Sequence, residues 1–121
     1  MSHKILIVDD EPNIVISLEF LMKKEGFTVA VAVDGDAALE QVAAFNPDLV
    51  LLDVMMPKKS GYEVCQAIRA DPVRAATKVV MLTAKGRESE VAKGLALGAN
   101  AYVTKPFATK DLVAQVKSLL A

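Results

Sequence analysis

Leu49-Val50-Leu51-Leu52-Asp53 is an apolar run with no alternation, closed by a single carboxylate. Such a run predicts a strand buried on both faces, as at the centre of a parallel sheet. Val54-Met55-Met56-Pro57 follows, and Pro57 has no N–H for a ladder, so the strand ends before it. Asp53 then stands at the carboxyl end of a central strand, the edge where open α/β sheets bind ligands.

Working outward, four more short apolar or β-branched runs read as strands: Lys4–Val8, Thr28–Val33, Lys78–Leu82 and Ala101–Thr104. Between them lie amphipathic segments. The first is opened by Pro12, carries Ile14, Leu18, Leu21 and Met22 on one stripe, and closes at Gly26. The second follows Asp34-Gly35-Asp36 and turns Leu39, Val42 and Ala43 inward. Tyr62–Ala70 is the third, with Val64, Cys65 and Ile68 on one side. Glu88–Leu97 is the fourth; Val91, Leu95 and Leu97 are expected mainly to cover the core, and Gly94 should weaken the helix. A fifth, capped by Thr109, presents Leu112, Val113, Val116, Leu119 and Leu120. Strands alternating with helices predict an α/β fold: a doubly wound, five-stranded parallel sheet of (βα)5 type. Two strand orders fit, and 2-1-3-4-5 is preferred for a chain of this size. Residues 1–121 are expected to form a single domain.

Composition narrows the function. A net charge of −1 gives no basic surplus, so direct nucleic-acid binding by this chain is not expected. No apolar run approaches the ~20 residues that span a bilayer, and Met1-Ser2-His3-Lys4 leads straight into a strand, so no membrane partner is expected. One cysteine excludes an internal disulfide and suits a reducing cytoplasm. Cys65, on an apolar helix face, reads as a small core residue.

In the preferred order the first and third strands are neighbours, and Asp9, Asp10 and Asp53 share their carboxyl ends. Strands lie about 4.8 Å apart, which brings the carboxylates within roughly 6 Å of one another. Each charged pair then repels by about 3 kcal/mol at an effective dielectric of 20, so the cluster calls for a cation. An all-oxygen site suits Mg²⁺. Lys105 and the Thr83 hydroxyl come to the same edge from the fifth and fourth strands. Singly, each of these is an ordinary loop or cap residue. Together they make a phosphate-handling site in which a carboxylate can act as nucleophile.

The set Asp9-Asp10, Asp53 with Met56-Pro57 and Gly61, Thr83-Ala84, and Lys105-Pro106-Phe107 resembles the receiver domain of two-component response regulators, from about Lys4 to Leu120. The resemblance implies a flavodoxin-like fold and a phosphorelay module that catalyses only its own phosphorylation and dephosphorylation. By that resemblance, Asp53 is the phosphoacceptor. Asp10, Asp53 and the Met55 carbonyl ligate Mg²⁺, with Asp9 assisting. Lys105 pairs with phosphoryl oxygens, Thr83 moves onto the phosphate, and Tyr102 turns inward behind it. For Tyr102, plain packing remains an alternative. The Lys105-Pro106 bond is expected to be cis, and Met55 and Lys85 flank the phosphate. Implied partners are a histidine kinase or phosphotransfer protein and a downstream effector reached through the α4-β5-α5 face. A phosphorylation-dependent homodimer is a further expectation, although Gly98-Ala99-Asn100-Ala101-Tyr102 lacks the paired acids of the winged-helix subgroup.

Three rival functions on the same fold have distinct signatures. A dinucleotide site needs Gly-x-Gly-x-x-Gly after the first strand, where this chain has Asp9-Asp10-Glu11-Pro12. A cobalamin site needs a histidine motif, and His3 lies outside any. A turnover phosphatase needs a general acid for its leaving group, and none stands out.

Overall fold

A computed structural model describes residues 3–54, 56, 59–84, 88–105 and 107–121, leaving aside the side chains of 84, 88 and 90. Strands β1 (Lys4–Val8), β2 (Thr28–Ala32), β3 (Leu49–Asp53), β4 (Lys78–Ala84) and β5 (Ala101–Lys105) alternate with helices α1 (Pro12–Lys24), α2 (Gly35–Phe45), α3 (Gly61–Ala70), α4 (Glu88–Ala96) and α5 (Thr109–Leu120). All strand pairs are parallel, in the order β2-β1-β3-β4-β5. The strand order expected from the sequence is the one observed.

All five residues of β3 are buried, as an unalternating apolar run requires. Its side chains divide between the two faces with the two-residue period of a strand. Leu49 and Leu51 join Ile5, Ile7, Val80 and Leu82 beneath Leu18 and Met22 of α1 and Leu112 and Val116 of α5. Val50 and Leu52 join Leu6, Val8, Val79 and Met81 beneath α2 and α3. Fully burying each such side chain contributes about 1.5–3 kcal/mol.

The helix ends follow local chemistry. Asp34 Oδ1 accepts from Ala37 N at 2.8 Å, and Ser60 Oγ accepts from Glu63 N at 3.4 Å, capping α2 and α3. Gly26, at φ +91°, turns the chain out of α1 in a conformation that suits glycine. Besides one-residue shifts at the ends of β2, α3, α4 and β5, four details depart from expectation. In α2 it is Ala38, not Ala43, that is buried alongside Val42. Ala108, without a side-chain bond, caps α5, and Thr109 is the first residue of the helix. Thr83 lies inside β4, which runs two residues further than its apolar run. In α4, Leu95 is 43% exposed, and Val91 and Leu97 are only half-buried. The helix instead meets the sheet through Gly94, where an added Cβ would stand 3.3 Å from Met81 Cγ. The residue that weakens the helix locally is the one that lets it approach β4.

Candidate phosphoacceptor site

The parallel sheet brings the last residues of β1, β3, β4 and β5 to one edge. Asp9 follows β1, and its N–H donates to Ala32 O of the neighbouring strand at 3.2 Å. Asp53 ends β3, in register with Leu82 of β4. Thr83 of β4 lies beside Thr104, and Ala84 beside Lys105. Behind Asp53 the chain doubles back closely: Gly61 N donates to Val54 O at 2.9 Å. A Cβ on Gly61 would stand 2.2 Å from Asp53 O, so no other residue fits there without moving the strand end.

One oxygen from each of Asp9, Asp10 and Asp53 lies within 4.8 Å of the others. Asp9 and Asp53 are buried and Asp10 is exposed. Lys105 Nζ reaches into this cluster, 2.8 Å from Asp9 Oδ2, 3.1 Å from Glu11 Oε1 and 3.4 Å from Asp53 Oδ1. Asp9 Oδ2 is buried against the Lys105 ammonium, which compensates its charge. Asp9 Oδ1 accepts from Glu11 N at 2.9 Å. Thr83 Oγ1 is buried and unpartnered.

Electrostatics follow from this crowding. Burial, and then the charge of Asp9, pushes the Asp53 carboxyl up from 3.8 to about 6, against the opposing pull of Lys105. Burial by itself would lower the Lys105 ammonium. Its contacts with Asp9, Asp53 and Glu11 outweigh that and hold it above its ordinary value. The site therefore contains a permanent cation and a nucleophile whose ionisation depends on what else enters.

A hard divalent cation fits this donor set: three convergent carboxylates, two of them buried, with no histidine or cysteine in the cluster among the described residues. The sequence-selected residues Asp9, Asp10, Asp53, Thr83 and Lys105 all come to the edge. Tyr102 lies on β5 beside Met81 and is 45% exposed, so its ring is turned outward here. Met55, Lys85 and Pro106 lie outside the described residues. Glu11 was not singled out in the sequence. Its signal was only its place next to Asp10, at the N-cap of α1.

The geometry has counterparts. Residues 5–117 match the family model of the response regulator receiver domain. The chain belongs to that family. A response regulator structure from Chloroflexus aurantiacus is 37% identical, with a TM-score of 0.95 over 99% of this chain and 98% of that one. The BeF3-activated receiver domain of DrrB is 38% identical, with a TM-score of 0.89 over 99% and 98% of the two chains. The chemotaxis response regulator CheY4 of Vibrio cholerae is 28% identical, with a TM-score of 0.92 over 98% and 99%. The acidic pocket with Lys105 is thus the phosphoacceptor site of a receiver, a phosphorelay signalling module rather than a classical enzyme. A receiver implies a histidine kinase as its partner. Among the described residues, no helix is long and apolar enough to cross a membrane.

Proposed function

We propose that Asp53 is the residue phosphorylated, and that the 121 residues act as one receiver unit in the cytoplasm. An Asp53 carboxylate oxygen attacks phosphorus, the P–N bond of the phosphohistidine breaks, and the histidine nitrogen leaves with the electron pair. The observation that carries this reading is the convergence of Lys105 with Asp53 and two further carboxylates at the end of one buried strand. Asp10 and Asp53, assisted by Asp9, would hold Mg²⁺ together with the Met55 carbonyl. When bound, the metal supplies charge stabilisation for the transferring phosphoryl group. Lys105 supplies a second, fixed cation, poised 3.4 Å from Asp53 Oδ1. Thr83 Oγ1, buried without a partner, is a donor available to a phosphoryl oxygen.

The output reading follows from the same edge. Once Thr83 turns to the phosphate, Tyr102 folds inward over the space it leaves, and the α4-β5-α5 surface changes. That surface carries exposed Leu95 and a shallow cavity of about 460 Å³ lined by Tyr102, Phe107, Asp111 and Gln115. A downstream effector, or a second phosphorylated copy, would bind there, and a phosphotransfer protein can replace the kinase as donor. The test is incubation with acetyl phosphate and Mg²⁺, read by intact mass. Wild type is expected to gain one phosphoryl group only when Mg²⁺ is present, and Asp53→Asn to gain none. Equal gain on both proteins would move the acceptor elsewhere.

A further inference from the structure

Glu11 stands apart from the other groups on Lys105. Its backbone is fixed at both ends: its N–H donates to Asp9 Oδ1 at 2.9 Å, and its carbonyl accepts from Val15 N at 3.1 Å. Its side chain makes no capping bond to α1. Instead Oε1 reaches Lys105 Nζ at 3.1 Å, closer than Asp53 Oδ1 at 3.4 Å. The Asp9 side chain is 0% exposed, whereas that of Glu11 is 60% exposed.

An ammonium has three protons, and here three carboxylates surround it. Phosphorylation converts the Asp53 carboxylate into an acyl phosphate of about −2 charge, whose oxygens take over its contact and draw the same cation more strongly, at the expense of the other two partners. Asp9 is sealed in the protein and would be left as an uncompensated buried charge. Glu11 rotates into water at little cost, because its charge is already largely hydrated.

We propose that Glu11 is a positioning residue that holds Lys105 in the unphosphorylated state and competes for it with the phosphoryl group. The proposal rests on the reading of Lys105 as the phosphoryl partner. In this arrangement Glu11 biases the receiver toward its unphosphorylated form. It sets how readily the lysine is released, without touching the acceptor itself.

The test uses beryllofluoride as the phosphoryl mimic, titrated into the full chain with Mg²⁺ and followed by fluorine NMR. Glu11→Gln is expected to bind the mimic about two- to fivefold more tightly than wild type, the range of one exposed ion pair. Glu11→Asp keeps the charge but shortens the arm so that it no longer reaches the lysine, and it is expected to show the same gain. Mg²⁺ affinity without fluoride, measured by calorimetry, should change by less than about twofold in both variants. A gain in Glu11→Gln alone would mean simple charge repulsion and would overturn the proposal. So would no gain in either variant, or a large loss of Mg²⁺ affinity, which would make Glu11 part of the metal cluster. If wild type itself binds no beryllofluoride, the reading of Lys105 falls first and the proposal with it.

Discussion

At the amino ends of the strands, Arg69 of α3 donates to Gly98 O at 2.9 Å, to Arg74 O at 3.1 Å, to Thr77 O, and to Asn100 Oδ1 at 2.9 Å. Asn100 Oδ1 also accepts from Val79 N at 2.8 Å, and Asp48 Oδ2 accepts from Lys4 N at 2.7 Å. At the carboxyl ends, Thr83 Oγ1 is buried without a hydrogen bond, and three acids crowd one lysine. Among the described residues, the single comparable atom at the amino edge is Arg74 Nε, which faces the Asp71 carboxylate at 4.0 Å. Buried polar groups are ordinarily paired, because leaving one unpaired costs about 1–3 kcal/mol. One edge is therefore completed by the protein itself. The other keeps its polar groups for a ligand, and stability is given up to do so. Deleting a polar group should then have opposite signs at the two edges.

The largest effect is expected at the amino edge. Arg69→Ala strands the carbonyls of Gly98 and Thr77, leaves that of Arg74 with only its bond from Thr77 N, and loosens the turn that joins α4 to β5. A destabilisation of about 2–4 kcal/mol is expected, read by urea denaturation. Labelling of the folded protein by acetyl phosphate should persist, since no Arg69 contact reaches Asp53. A loss below about 1 kcal/mol, or labelling that fails in protein shown to be folded, would break the contrast between the edges.

The second test runs the other way, through pH. The Asp53 carboxyl is pushed up to about 6 in the folded chain by burial and by Asp9. The folded state therefore binds its proton more tightly than the unfolded state does. The protonated form adds stability that is fully present below about pH 4 and is lost as pH rises through 6. Asp53→Asn keeps a neutral group of the same shape. It should be more stable than wild type above pH 6 by up to about 3 kcal/mol, and the advantage should close below pH 4. Thermal unfolding without divalent cations, across that range, measures it. Added Mg²⁺ should erase the advantage by stabilising only the wild type. An advantage that grows toward low pH would reverse the assignment.

The same distinction explains what was legible in the sequence. Leu49–Asp53 has no alternation, which places it at the sheet centre, and the βαβ connection then sends Asp9, Asp10, Asp53, Thr83 and Lys105 to one edge. Those positions follow from the chain path, which apolar periodicity reports. Glu11 does not, because the direction of a long side chain at a helix N-cap is set by tertiary neighbours and has no period. Ala38 and Ala43 were similarly indistinct, since a methyl group on either stripe weighs little in the pattern. In α4 the pattern pointed the wrong way. Leu95 reads as core, yet Gly94 makes the contact, because close approach needs an absent side chain and no hydrophobicity scale rewards one. Thr109 has the chemistry of a cap, but the chain enters α5 one residue earlier, at Ala108.

Thr83 is the smallest test and the one that turns the comparison on a single atom. Its Oγ1 lies buried at the end of β4 with no partner, while Val79, nearer the amino end of the same strand, has its N–H met by Asn100. Thr83→Val replaces the hydroxyl by a methyl group of nearly the same volume. Nothing is unpaired by the change, and an unpaired oxygen is removed. The unphosphorylated protein should therefore gain about 1 kcal/mol, measured as a shift of the urea midpoint at constant slope. With saturating beryllofluoride and Mg²⁺ the sign should invert. The wild-type hydroxyl then has an acceptor in the bound mimic, and the valine has nothing to offer it. A variant less stable than wild type in both states would show that the hydroxyl is satisfied by the protein alone. One that gains equally in both states would show that Thr83 never reaches the phosphoryl group, and would leave Lys105 to meet it without the hydroxyl.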